Sequence, residues 1–255
     1  MLIISKTSKL PIMEVKASDK TEVVSHSINN VINIFVSPME VFKSLQVKPT
    51  ILFPFVLIMT SLVVVYSWYY AMVDFPWAID QLLARMGDNS VVEIDQTRKV
   101  YEDMGSTGMM VTQNIGIVIM TLLIYSVQAG YLSLISAISG DAIRFRQWFS
   151  LTSWTYLIGL LSVLAIVVNI LMSDNGQISF YDINSLSLSG MGLDAGSNVS
   201  LQSLFDALNL TMFWTLGLMV AGYQNWVNSG YAKASVIVLA PHVLIYGIWA
   251  VIALI

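Results

Sequence analysis

The sequence predicts an all-α fold, a polytopic integral membrane bundle of five transmembrane helices, with the N-terminus inside, the C-terminus outside and amphipathic interfacial helices before the first span. Three observations predict it. Apolar residues make up 56% of the 255 residues and charged residues only 11%, less than half of the share typical of soluble domains. Five segments stay apolar for long enough to cross a bilayer. Lysine and arginine are distributed unevenly between the segments that connect them.

The five spans follow from length and apolar character. A helix needs about 20 predominantly apolar residues to cross the hydrocarbon core, and five stretches meet that requirement: residues 51–73, 109–139, 149–172, 204–226 and 234–255. None has a charged residue in its middle. The second stretch is long, so it should tilt or emerge at one end.

The orientation follows from the positive charges near the ends of the spans, because Lys and Arg are retained on the cytoplasmic side. Residues 1–49 and the second and fourth connections between spans contain nine of the twelve cations. The other three are Arg85, Arg98 and Lys99 in the 74–108 connection. The excess predicts that the N-terminus lies inside.

The chain before the first span divides into an extension, residues 1–34, and the start of the five-span domain, residues 35–255. Residues 1–22 should lack regular structure. From Val24 onward, apolar residues recur at helical spacing (Val24, Ile28, Val31 and Phe35), which predicts an amphipathic helix lying along the bilayer. A second short helix should begin at Pro38, with Ser37 and Glu40 forming a capping box.

The two outer connections differ in character. Residues 74–108 contain seven acidic residues and an apolar helical face formed by Ile79, Leu82, Leu83 and Met86, which predicts short helices over the outer end of the bundle. Residues 173–203 are rich in Ser, Gly and Asn and contain no cation. We expect them to form a solvated or interface-lying connector.

Polar residues inside the spans are the candidate functional residues, because polar groups in lipid must find partners. The candidates are Gln128, Asn169, Asn225 and His242. They could line a path for a solute or protons, or they could form interhelical hydrogen bonds that fix the packing. The absence of an acidic residue beside them favours the second interpretation.

Two further sets of residues are candidates for contacts between helices or with the bilayer. Small residues at four-residue spacing, Ser126 with Gly130 and Gly217 with Ala221, are typical of close helix packing. Arg144 and Arg146, in the short connection before the third span, could contact lipid headgroups or a partner. Their simpler role is to set the topology.

The composition also argues against several functions. The chain has no cysteine, only two histidines and a net charge of −4, so we expect no metal site, no cofactor and no nucleic-acid partner. An intramembrane enzyme would need a nucleophile with a base, or a metal. The sequence provides neither, and we predict that the protein is not an enzyme.

Three stretches resemble a known family: residues 37–42 with Lys48-Pro49, residues 139–151, and residues 208–214 with Gly222 and Lys233-Ala234. The first resembles the entry to the first span in bacterial members of the Yip-one domain family, relatives of the eukaryotic Ypt/Rab-GTPase-interacting proteins. The second is similar to that family's inner loop, and the third is similar to its fourth span and the turn into the fifth.

The resemblance covers about residues 35–255, and none of its motifs is catalytic. It implies membrane organisation or trafficking through protein contacts. We therefore expect an adaptor or organiser of membrane partners or lipids in the bacterial inner membrane, with protein partners or a homo-oligomer. The alternative is a small transporter or channel for an ion or small solute, lined by the four polar residues above.

Overall fold

The computed structural model of the chain describes residues 28–85 and 91–255. The predictions for the beginning of the extension and for Met86 therefore lie outside the described residues. The helices are α1 (28–36), α2 (Pro38–Val47), α3 (Leu52–Met72), α4 (Phe75–Ala84), α5 (Val91–Ser139), α6 (Phe145–Thr155), α7 (Leu160–Met172), α8 (Val199–Ala207), α9 (Leu210–Val227) and α10 (Tyr231–Leu254). A 3₁₀ turn, Tyr156–Gly159, joins α6 to α7. An isolated antiparallel bridge joins Ser187 to Asn209, and the described ranges contain no regular strand.

Four helical rods within the described residues are long and apolar enough to cross a membrane: α3, α5, the continuous α6–α7 rod from Phe145 to Met172, and α10. They correspond to the predicted first, second, third and fifth spans. The all-α class is confirmed, and so is the presence of apolar membrane-spanning helices.

The predicted fourth span differs from the observed helices. The chain forms α8, leaves helical conformation at Leu208 and Asn209, and then forms α9 over 18 residues. Asn209 causes the break because its side chain accepts a hydrogen bond from the N–H of Met212 at 2.8 Å, which caps a new helix. α9 is not among the four rods that are long and apolar enough to span, since the polar pair Gln224 and Asn225 near its end lowers its hydropathy.

α5 is interrupted at Gly105, whose backbone has a φ of +64°, a conformation that glycine adopts without steric cost. The helical residues after it, 106–139, form a rod about 50 Å long at 1.5 Å per residue. This exceeds the hydrocarbon thickness of about 30 Å, as expected for a span that tilts or projects from the membrane.

The bundle is organised around α6 and α9. α5 packs against α3 and α6, whereas α9 packs against α10, α2 and α6. Fully buried aromatic rings fill the space between α6 and α9, with Trp148 stacked on Tyr223 at 5.4 Å and 5.3 Å from Trp226. The α6–α9 contact is therefore the core of the described chain.

α2 and the α5–α6 and α9–α10 connections lie at one end of the bundle, which we call the amino-terminal face. The side chain of Gln147, in α6, donates to the carbonyl of Gln46 at 2.9 Å. The indole N–H of Trp226 donates to the carbonyl of Phe42 at 2.8 Å. These bonds fix α2 to α6 and α9. α4, α8 and the 173–203 segment lie at the other end, the opposite face.

The two amino-terminal helices only partly match their predicted form. α2 begins at Pro38 as predicted, but the Ser37 side chain makes no capping hydrogen bond. In α1, Ile28 is exposed, whereas Asn30 and Ile34 are buried. Phe35 packs edge-on against Trp214 of α9, so α1 contacts the bundle itself, with a buried face rotated from the one that the spacing predicts.

The 173–203 segment packs more closely than a solvated connector would. Ile178 and Ile183 are buried, and the hydroxyl of Tyr69 donates to the carbonyl of Ile178 at 2.9 Å. The acidic 74–108 connection contains the predicted short helix, α4. Asp74 caps that helix by accepting from the N–H of Trp77 at 3.2 Å.

Candidate functional site

Gln128 and His242, the two polar residues deepest in their predicted spans, line the same cavity. The cavity has a volume of about 480 Å³ and lies between α5, the 3₁₀ turn, α9 and α10. Most of its lining is apolar, and none of the described residues that line it is charged. The structure thus brings together two of the four predicted lining residues.

The buried amide of Gln128 has an unused donor. Its Nε2 atom has no hydrogen-bond partner among the described residues, although an amide nitrogen can donate two hydrogen bonds. An unpaired polar group buried away from water is costly. The described packing therefore leaves one polar atom beside the cavity without a partner.

His242 bonds within its own helix. Its Nδ1 lies 3.2 Å from the carbonyl oxygen of Val238, one turn earlier in α10. The neighbouring Pro241 has no N–H, which deprives the carbonyl of Ile237 of its usual helical donor. The hydroxyl of Tyr131, in α5, donates to that carbonyl at 2.9 Å and links α5 to α10 at the proline.

Asn169 and Asn225 lie outside the cavity. Asn169, near the end of α7, donates through Nδ2 to the carbonyls of Asp182 and Ile183 at 2.9 and 3.1 Å. It therefore anchors the 173–203 segment. Asn225 lies near the C-terminal end of α9, at the amino-terminal face. The predicted group of four consequently separates into a pair in the cavity and two residues at opposite ends of the bundle.

The cavity contains polar residues that the sequence analysis missed: Tyr156, Asn209, Thr211, Thr215 and Tyr246. The hydroxyl of Thr211 donates to Asn209 Oδ1 at 2.6 Å, and Thr215 donates to the carbonyl of Thr155 at 3.4 Å. The signal was present in the sequence, because Thr211 and Thr215 are four residues apart and so share one face of α9.

The shape of the cavity indicates how a molecule could reach it. On the side of the amino-terminal face, the hydrogen bond from the Tyr131 hydroxyl to the carbonyl of Ile237 joins α5 to α10 one turn beyond the cavity. On its outer wall, Val127 of α5 is 63% exposed and Ile245 of α10 is 60% exposed. The cavity is therefore a recess between α5 and α10 that opens sideways, toward the surface that lipid would cover.

The candidate small residues have different surroundings. A Cβ atom added at Gly130 or Gly217 would meet nothing within 4 Å, so no described residue approaches these two glycines closely, whereas Ser126 is half-buried and Ala221 packs against the core. The close approach is at Gly222, where an added Cβ would lie 2.7 Å from Leu151 Cδ1. Gly222, which follows the predicted residue Ala221, therefore permits α9 to approach α6.

The candidate basic residues of the α5–α6 connection have different surroundings. Arg146 is exposed and lines the same groove as Lys48, along the beginning of α3. Arg144, at the start of α6, is also exposed, but it does not line the groove that contains Lys48 and Arg146.

A cleft of about 670 Å³ lies at the opposite face, around Arg85. This guanidinium contacts Asp206 at 2.8 Å and Asp182 at 3.4 Å and lies 4.1 Å from the centre of the Tyr181 ring. Burial raises the pKa of Tyr181 above its ordinary value, and the nearby Arg85 guanidinium offsets part of that rise.

Within the described chain, no group of three His, Cys, Asp or Glu side chains could hold a metal ion.

Comparison with known proteins gives one match. No curated protein and no solved structure matches the chain. The family model of the Yip1 domain matches residues 32–253, a range that includes all the helices after the beginning of α1, the cavity and both faces of the bundle. The chain belongs to the Yip1 domain family of membrane proteins.

Proposed function

We propose that this Yip1 domain protein is a non-enzymatic adaptor or organiser of membrane partners or lipids in the bacterial inner membrane. The observation that carries the proposal is the position of the cavity. It is a recess whose outer wall, at Val127 of α5 and Ile245 of α10, is exposed toward the surface that lipid would cover, and the hydrogen bond from Tyr131 to Ile237 joins the two helices on the side of the amino-terminal face. A recess of this kind suits a group presented from within the bilayer better than a solute that must cross it.

We further propose that α9 also crosses the membrane, as the fourth of five spans. Its 18 residues measure about 27 Å, close to the hydrocarbon thickness. Its polar Thr211 and Thr215 are buried by protein, so a modest hydropathy does not prevent a central helix from crossing. With five spans, the amino-terminal face lies inside, on the side where cations predominate.

Cysteine labelling tests this topology, because the natural chain has no cysteine. Ser197→Cys, at the opposite face, should react with an impermeant maleimide in intact cells. Lys233→Cys, in the first turn of α10 at the amino-terminal face, should react only after the membrane is opened. Labelling of both positions in intact cells would contradict five spans with the amino-terminal face inside.

The surface of α10 is the candidate partner surface. Of the four rods that could span the membrane, α10 has the smallest fraction of residues buried by the rest of the chain. Its exposed side chains include Val236, Val243 and Val251. A photo-reactive residue at Val243 should give a cross-linked product of defined mass in native membranes, with a second copy or another protein. The same residue at the equally lipid-exposed Leu164 of α7 is the control, and identical products from both positions would argue against a specific surface.

A transporter remains the second candidate because Gln128 has an unpaired donor and His242 lies in the same cavity. Flux measurements in proteoliposomes separate the two functions. The adaptor predicts no proton or solute flux at any pH. A pH-dependent flux that His242→Gln abolishes would refute the adaptor, since glutamine retains hydrogen-bonding capacity but does not titrate.

A further inference from the structure

A shallow groove of about 830 Å³ lies along the beginning of α3 at the amino-terminal face. It is distinct from the cavity between α5 and α10. Residues 48–53 form its end at this face, and Val56, Leu57 and Thr60 continue it along α3 toward the centre of the bundle. Arg146, in the first turn of α6, contributes the remaining side chain.

The turn that forms the mouth of the groove is held in place by hydrogen bonds from α6. The hydroxyl of Ser150 and the indole N–H of Trp154 both donate to the carbonyl of Thr50, at 2.8 and 3.0 Å. Gln147 fixes the end of α2 just before this turn. The groove is therefore a preformed feature of the chain.

Its mouth is positively charged. Lys48 and Arg146 are both exposed there, and no described residue that lines the groove is acidic. α3 begins at this point without a side-chain cap and without an acidic residue in its first turn. Its uncapped N-terminus carries partial positive charge, which adds to that of the two side chains.

The rest of the groove is apolar. From Leu52 to Thr60 it follows α3 for about 12 Å, at 1.5 Å per residue. Leu52 and Val56 are exposed along it, on a helix apolar enough to span a membrane. A ligand that fits this arrangement has an anionic head and an extended hydrocarbon chain.

We propose that this groove binds one anionic phospholipid, with the phosphate between Lys48 and Arg146 and an acyl chain along α3. A soluble anion would use the cations but leave the apolar part empty. A zwitterionic lipid would fill the apolar part, but its own positive charge would face the two cations. The site does not depend on the function of the cavity or on the partner surface of α10.

Native mass spectrometry of the detergent-purified protein, with phosphatidylglycerol and phosphatidylcholine added in equal amounts, tests the proposal. The wild type should retain phosphatidylglycerol preferentially. A Lys or Arg near an anionic lipid surface contributes on the order of 1 kcal/mol, or about fivefold in affinity. Lys48→Gln with Arg146→Gln should therefore weaken phosphatidylglycerol binding about twenty-five-fold.

The matched control removes two exposed cations of the same face that do not line the groove, through Lys43→Gln with Lys233→Gln. This variant has the same net charge as the groove variant and should bind phosphatidylglycerol like the wild type. An equal loss in both variants would overturn the proposal, because it would mean diffuse attraction. Equal retention of the two lipids by the wild type would also overturn it.

The apolar part of the site has a separate test. Val56→Trp fills the groove below the cations and should weaken phosphatidylglycerol binding while both cations remain. Inorganic phosphate at millimolar concentration should not displace the lipid. Displacement by phosphate, or full binding by Val56→Trp, would indicate a simple anion site and refute a lipid site.

Discussion

The approach of α9 to α6 at Gly222 allows a matched test of the packing. A Cβ atom at Gly222 would lie 2.7 Å from Leu151 Cδ1 and 3.0 Å from Cδ2. Leu151 is fully buried, so its side chain has little room to move. Gly217 lies five residues earlier in α9, and a Cβ there would meet no described atom within 4 Å. The two glycines share a helix but differ in their surroundings.

Replacing each glycine with leucine should have opposite effects on stability. Glycine in a helix interior is about 0.8–1 kcal/mol less favourable than a good helix former, so Gly217→Leu should stabilise the protein by up to about 1 kcal/mol. Gly222→Leu has the same helix gain but must overpack the core, which costs up to about 3 kcal/mol. The net loss is then about 2 kcal/mol, equivalent to a Tm lower by about 4–8 °C.

A compensating variant checks that the clash with Leu151 is the cause. Leu151→Ala alone should destabilise the protein by about 2–5 kcal/mol because it leaves a cavity. Combined with Gly222→Leu, it exchanges a large and a small residue across one contact at nearly constant volume. The double variant should therefore be more stable than the sum of the single effects predicts. Thermal unfolding in detergent, followed by tryptophan fluorescence, compares the four variants with the wild type, and equal Tm losses for the two glycine variants would refute the reasoning.

Two other contacts give predictions of their own. Tyr131→Phe should destabilise the protein by about 0.6 kcal/mol, and at most about 1.7 kcal/mol, the range for interhelical hydrogen bonds in membranes, because the carbonyl of Ile237 loses its donor. In a Pro241→Ala background, which restores a backbone N–H, Tyr131→Phe should cost almost nothing, and an unchanged cost in the same unfolding assay would refute this role. Arg85→Ala should cost about 1–3 kcal/mol, because it leaves the half-buried Asp206 without its ion pair, and an unchanged Tm would mean that solvent replaces this bond.

Much of the fold could be predicted from apolar length alone. Three of the four rods that could span a membrane begin and end within a few residues of the predicted spans, because the length of an apolar helix is set by composition more than by particular contacts. The exception is α5, which begins at Val91, well before the predicted start at Met109, and is interrupted at Gly105. The predicted start of the fourth span was wrong because Asn209 caps a new helix. A single Asn within an apolar stretch does not indicate whether its side chain caps a helix or bonds across helices.

The candidate site could be predicted only in part. Gln128 and His242 were identified as polar residues inside the spans, and a carbonyl freed by Pro241 follows from the chemistry of proline. That Tyr131 would bond this carbonyl could not be predicted, because the rotation of α5 relative to α10 depends on packing. For the same reason, the sequence did not identify Gly222 in preference to Gly217, since the spacing of small residues does not reveal which one faces a neighbouring helix.

The hydrogen bond between Trp226 and Phe42 has a consequence for biogenesis. Its partners are 184 residues apart, and at a synthesis rate of about 5–20 residues per second the ribosome needs about 10–40 s to make the chain between them. For about the first half of that interval the apolar side of α2, with Phe42 and Leu45, has neither α6 nor α9 to cover it, and α9 is still missing after α6 has been made. The membrane surface or a chaperone must shield this side until α9 is made, so the amino-terminal face is begun early in translation and completed late.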